Sequence, residues 1–285
     1  MKKQKRLSVY VWYHDETMLE KVTPKKKQYR NPTFHYYDLN RLPVLESLKP
    51  AEMTEDEYRL GLSEFGGLAQ ITPDTEMTGS FLYSIPLKFS AAYADATNNR
   101  RLFLPPVTFD LLAQKKYRKD TLYGVEWGDP CRDLCSKYIL SIHNDPELRR
   151  GGEKISKKAP FKSSFIVNTE EFLNYQRWLK EVIRFLFDRY GTSYREVGME
   201  LATSFSRETR HIREDNTQIS SILAARGLAH ILERATAYFF GQTFRGERKI
   251  RLGPFLNRKS GFCFRPTAVR VVSGLIRGQR KLFGK

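Results

Sequence analysis

The stretch of seven residues near the start of the chain, Leu7 to Tyr13 (LSVYVWY), is rich in β-formers and reads as apolar on both faces. A strand with two apolar faces cannot lie on an outer edge, so this stretch predicts a place inside a sheet. Whatever else the chain does, it must cover that strand with neighbours.

The cover has to include helices. From Asn168 the residues Phe172, Tyr175, Leu179, Val182, Ile183, Leu186 and Tyr190 recur at helical spacing. Asn168 is a capping residue with Glu171 at the third helical position, and Gly191 closes the element. Thr54 and Glu57 form a capping box opening a short helix with Tyr58, Leu62 and Phe65 as its buried stripe, ended by Gly66-Gly67. Ser193 and Glu196 form a second box, starting a helix that runs through Val197 and Leu201. Ser206 caps a third short helix, and a fourth runs from Thr217 to about Tyr238, where Gly227 either interrupts it or marks a helix meeting. Ser80 to Phe89 and Tyr138 to His143 predict further strands. So do three short C-terminal pieces, KIRL, FCFR and VRVVSGLI.

Together these predict an α+β fold. A mixed α+β region covers 1–150, a polar Gly/Lys/Pro-bearing linker 151–163, a helical bundle 164–242, and a basic strand-rich segment 243–285 whose strands can rejoin the N-terminal sheet. At 285 residues the chain is long enough to bury a full core.

Charge is the second constraint. Of a net +17, the stretch from Arg245 to Lys285 carries +11, with Glu247 its one acid, and residues 1–30 carry +6. The body between is neutral. Apolar residues such as Ile250, Leu252, Phe262, Phe264, Val271 and Ile276 are threaded through the basic C-terminal stretch, which argues for a folded cationic surface. Such a surface implies a polyanionic partner, and the reading from sequence is a non-catalytic nucleic-acid-binding protein, DNA or RNA, within a nucleoprotein assembly. The residues assigned to phosphate contact are Arg245, Arg248, Lys249, Arg251, Arg258, Lys259, Arg265, Arg270, Arg277, Arg280 and Lys281. Arg207, Arg210 and Arg213 join them, because their spacing places them on one face of the second helix of a helix-turn-helix across Tyr194 to Glu214. The turn there is a residue too long and lacks a glycine, so an ordinary helical hairpin with a solvated arginine face is favoured over that motif.

Two alternatives stand beside this reading. One is a metal-dependent nuclease using His14, Asp15 and Glu16, or His143 and Asp145, both of which follow predicted strands. The other is a self-assembling structural protein that contacts a genome. No phosphate-cradling loop, zinc-protease helix or nucleophile elbow is present, and no cofactor is called for. Cys131 and Cys135 lack a second ligand pair, so no metal is expected, and three cysteines in all point to a reducing setting. No run approaches the length of a membrane span and the start is no signal peptide, so the expectation is a cytoplasmic protein with nucleic acid and protein partners or self-assembly.

Overall fold

In a computed structural model, the structure describes residues 6–14, 16, 32–82, 102–104, 108–109, 132–155, 159–160, 165–204, 217–243, 250–252, 255–256 and 263–264. In chain order these form β1 (Leu7–Tyr13), β2 (Pro32–Asp38), α1 (Glu55–Leu62), α2 (Glu64–Leu68), β3 (Met77–Leu82), β4 (Leu102–Leu104), β5 (Thr108–Phe109) and α3 (Arg132–Asn144). Then come β6 (Ala159–Pro160), β7 (Phe165–Asn168), α4 (Thr169–Tyr190), α5 (Tyr194–Ser204), α6 (Thr217–Thr243), β8 (Ile250–Leu252), β9 (Phe255–Leu256) and β10 (Cys263–Phe264). A mixed sheet with helices makes this an α+β protein.

The main sheet has the order β2-β1-β3-β7-β4-β8. β1 is interior, as its two apolar faces demand, and runs parallel to both neighbours, Leu7 opposite Pro32 on one side and Met77 on the other. β7 is antiparallel to β3 and to β4, and β8 lies parallel to β4. β9 and β10 form a separate antiparallel pair. Alternation divides β1 between two cores. Tyr10 and Trp12 face the helices and join the large cluster containing Tyr58, Phe65, Leu179 and Phe240, while Leu7, Val9 and Val11 pack with Met77, Phe81 and Ile166 on the other face.

The helices largely follow the sequence signals, with two corrections. The capping box on α1 is formed in both directions, Glu57 N–H donating to Thr54 Oγ1 at 3.2 Å and Thr54 N–H to the Glu57 carboxylate at 3.0 Å. Gly66-Gly67 does not end this helix. Ser63 breaks it at φ 49°, and the two glycines lie inside α2. The reason is contact: a Cβ on Gly67 would sit 2.3 Å from the Trp12 ring. The second correction concerns Tyr138 to His143, expected as a strand and found within α3. Cys135, Tyr138, Ile139 and Ile142 are all buried, a spacing of helical period that a short window reads as a strand.

α4 buries the expected stripe from Phe172 to Leu186, leaves Tyr190 half-buried, and adds Trp178 and Gln176. Gln176 Nε2 donates to the carbonyls of Leu68 and Ile71 at 2.8 Å each, satisfying acceptors that the end of α2 leaves open. α6 is continuous, and Gly227 marks a crossing. A Cβ there would lie 2.0 Å from the Tyr194 carbonyl oxygen, and one on Gly198 of α5 would lie 2.1 Å from that of Ala224. The two helices touch backbone to backbone. The expected helix after Ser206 and the strand VRVVSGLI lie outside the described residues.

Gly227→Ala should therefore cost about 2 kcal/mol or more, because both neighbours are backbone atoms that cannot swing away. Gly152→Ala, whose Cβ would meet nothing within 4 Å, should change stability by no more than about 0.5 kcal/mol. Urea denaturation of the two variants checks the contrast. Equal losses would contradict the helix crossing.

Candidate functional site

The three parallel strands end together. Tyr13 at the end of β1 lies opposite Asp38 at the end of β2, and Trp12 opposite Leu82 at the end of β3. The chain passes from β1 to β2 on one side, then crosses to β3 on the other. The order therefore reverses at the β1/β3 boundary. In open parallel sheets the crevice beyond the carboxyl ends at such a reversal is where ligands bind.

His14 is the first residue past β1 at this edge. Its carbonyl accepts from Asn40 Nδ2 at 3.0 Å, and Asn40 N–H donates to Asp38 Oδ1 at 2.9 Å in the 3-10 turn Leu39–Arg41. Those bonds tie the ends of β1 and β2 to each other. Following the even-numbered side chains of β1, His14 continues the face that carries the helices.

Two of those helices bring charge to it. Glu64 opens α2 and is 6% exposed, an unusual burial for a carboxylate. Ser63 immediately before it holds a positive φ without being glycine, at a cost of about 1–3 kcal/mol. Strain of this kind persists where surrounding contacts impose it. Here the Trp12–Gly67 contact below and the Arg59 carbonyl, which accepts from Ser63 N–H at 2.9 Å, fix both sides of the break. Arg226 on α6 is exposed, and no ion pair joins it to a described carboxylate. It sits next to Gly227, so the backbone crossing with α5 sets its position.

The electrostatics of His14 register this company. Burial, then the Arg226 charge, push its pKa below the ordinary value, against opposing contributions from Glu64, an Asn40 hydrogen bond and Asp38. The imidazole is neutral at pH 7. A neutral imidazole within electrostatic reach of a buried carboxylate and an exposed guanidinium can accept a proton while the guanidinium holds an anionic or polar group.

Of the residues singled out in the sequence, His14 reaches this edge, Glu16 is exposed, and Asp15 lies outside the described residues. His143 and Asp145 do not form a site. His143 Nε2 meets the Glu153 carbonyl at 2.7 Å, so it carries a proton, and Nδ1 faces the Tyr238 hydroxyl at 3.0 Å. Asp145 caps the following turn by accepting from the N–H groups of Glu147 and Leu148 at 3.0 Å each. Both are structural. Cys135 is a buried thiol outside any disulfide, and among the described residues no group of three or more His, Cys, Asp or Glu is placed to hold a metal ion. Among the basic residues assigned to phosphate, Arg251 has a described backbone, opposite Phe103 in β4. The others, including Arg207, Arg210 and Arg213, lie outside the described residues. Glu64, Asp38, Asn40 and Arg226 were missed in the sequence. The signal that could have found Glu64 is an acid set inside the apolar run from Leu62 to Leu68.

No family profile matches the chain, and no curated protein matches it. Among solved structures, the apo form of the WbbM bifunctional glycosyltransferase is similar at a TM-score of 0.39 and 10% identity, over 88% of this chain and 45% of that one. The chain thus spans less than half the length of that structure. The expectation of a nucleic-acid-binding subunit, with its nuclease and genome-contacting alternatives, is withdrawn here, since none of these comparisons returns a nucleic-acid-binding protein. The physical weakness of that expectation is that net charge favours anions in general and selects no particular one. Among the described residues no helix is long and apolar enough to cross a membrane.

A lowered histidine pKa has a consequence for stability. Above the ordinary value of 6.5 the folded and unfolded chains both carry neutral His14. As the pH falls through 6.5 the unfolded chain takes up the proton first, and the native state loses stability. His14→Gln removes that loss, so between about pH 7.5 and about pH 5.5 the variant should lose less stability than the wild type in denaturant titrations. Identical pH slopes would refute the assignment.

Proposed function

We propose that the chain binds a small polar molecule at the carboxyl edge of β1 and β3, and that His14 accepts a proton from it. The observation that carries this reading is that His14, just past β1 where the strand order reverses, lies within electrostatic reach of Glu64 on α2 and Arg226 on α6. That place supports ligand binding on topological grounds. The residues then supply the chemistry. His14 is the proton acceptor, since a neutral imidazole with a lowered pKa is unprotonated at physiological pH. Glu64 acts through charge, stabilising the imidazolium once it forms. Arg226 takes a negative or strongly polar group of the ligand, through a planar fork of donors. Asn40 and Asp38 are positioning residues, holding the His14 backbone.

A transferase or hydrolase acting on a hydroxyl-bearing metabolite suits this arrangement, because both reactions need a base to take a proton from the attacking oxygen. The test is a thermal-shift screen with nucleoside phosphates, nucleotide sugars, free sugars and amino acids. One class should raise the melting temperature saturably. Arg226→Gln should weaken that ligand by about ten- to a hundredfold, the worth of a charge-assisted hydrogen bond. His14→Gln should leave binding within about threefold while abolishing turnover of any ligand found to react. A screen without a hit, or a hit indifferent to Arg226→Gln, would overturn the reading.

A further inference from the structure

A second polar feature lies on the helical layer, away from the strand edge. The loop of residues 145–155 follows α3, and buried side chains from three helices pin it in place. His143 of α3 meets the Glu153 carbonyl, and Trp178 of α4 donates to that of Leu148 at 2.8 Å. From α6, the Tyr238 hydroxyl accepts from Arg150 N–H at 3.1 Å, and Gln242 Nε2 donates to the carbonyls of Arg150 and Lys154 at 3.3 and 3.2 Å. Gly151, at φ +67°, packs against Gln242. Such fixation by buried donors and acceptors is what a preorganised site requires.

What this loop presents is positive charge. Arg149 is exposed, and its Nε donates to the His143 carbonyl at 2.8 Å. Arg150 lays its guanidinium over the Phe239 ring, 5.5 Å from the centroid, and its enclosed Nε has no hydrogen-bond partner. Arg177 on α4, exposed, is held by the Asn174 side chain. All three therefore rest on neutral groups. Among the described residues no carboxylate forms an ion pair with any of them, and Glu181, on the same helix as Arg177, is committed to Arg184 at 2.7 Å. Burial and then the Arg177 charge disfavour the ionised form of Arg150, against a favourable contribution from Tyr238. Like charges held together on a rigid loop and the helix beside it, with no described carboxylate paired to them, raise the folded state's energy, and a bound anion would offset that cost.

We propose that Arg149, Arg150 and Arg177 form an anion site for a phosphoryl group, independent of the His14 edge. Guanidinium forks match the tetrahedral oxygens of such a group in geometry and charge. Tyr238 beside this site and Arg226 at the other are twelve residues apart on α6, about 18 Å along a helix. The two sites are far enough apart to be tested separately.

The test titrates inorganic phosphate, and in parallel a sugar phosphate, into the full chain by calorimetry at constant ionic strength in chloride. Saturable binding at one site is expected. Tighter binding of the sugar phosphate would identify a phosphorylated metabolite as the ligand, and equal or tighter binding of inorganic phosphate would identify the free ion. Arg177→Gln and Arg150→Gln should each weaken binding at least about tenfold, and Arg226→Gln and His14→Gln should leave it unchanged. Arg177 is exposed, so its variant is expected to fold, which circular dichroism checks. Absence of saturation, wild-type affinity in the folded Arg177→Gln variant, or loss of binding in Arg226→Gln would each overturn the proposal.

Discussion

The contact on which the rest of the architecture depends is the one between Trp12 and Gly67. Trp12 is fully buried in the central strand, its indole N–H donating to Ser80 Oγ at 3.0 Å across to β3. Its ring fills the space where any other residue at position 67 would place a Cβ. The backbone of α2 is thereby pressed directly onto the Trp12 ring. The strained Ser63, the burial of Glu64 and the nearness of Glu64 to His14, two residues beyond Trp12, all follow from that approach. Gln176 then locks the far end of α2 through two carbonyls.

A second close approach sets the other half of the site. α5 and α6 cross at Gly198 and Gly227 with backbone touching backbone, which fixes the neighbouring Arg226 relative to the strand edge. Close packing of this sort allows little adjustment. The charged groups around His14 are therefore arranged before any ligand arrives, the arrangement that electrostatic function favours, since no reorganisation is needed when charge moves.

Much of the scaffold was legible in the sequence because it is encoded locally. The capping box at Thr54 and Glu57, the apolar stripe of α4 and the two apolar faces of β1 depend on residues a few positions apart. The misreadings share a cause. Tyr138 to His143 is too short a window to separate a strand from a buried helix, and Gly66-Gly67 reads as a turn signal although Gly67 answers a contact from Trp12, far away in the chain. The site was legible only at His14, marked by its place after a strand. Glu64 and Arg226 reach it from α2 and α6, and no spacing rule links positions 14, 64 and 226.

The sequence alone determined that β1 must be interior, where the principal helices start and stop, and that the two ends of the chain are basic around a neutral body. Those properties depend on local periodicity and on sums of charge, which need no coordinates. Only the tertiary structure decided that β1 is flanked by β2 and β3 in parallel, that the order reverses there, and which charges act on His14 at that edge. The reason is physical. Burial, lost Cβ space and the shift of a histidine's pKa are properties of neighbours in space, and the chain brings those neighbours together across long separations that sequence pattern does not record.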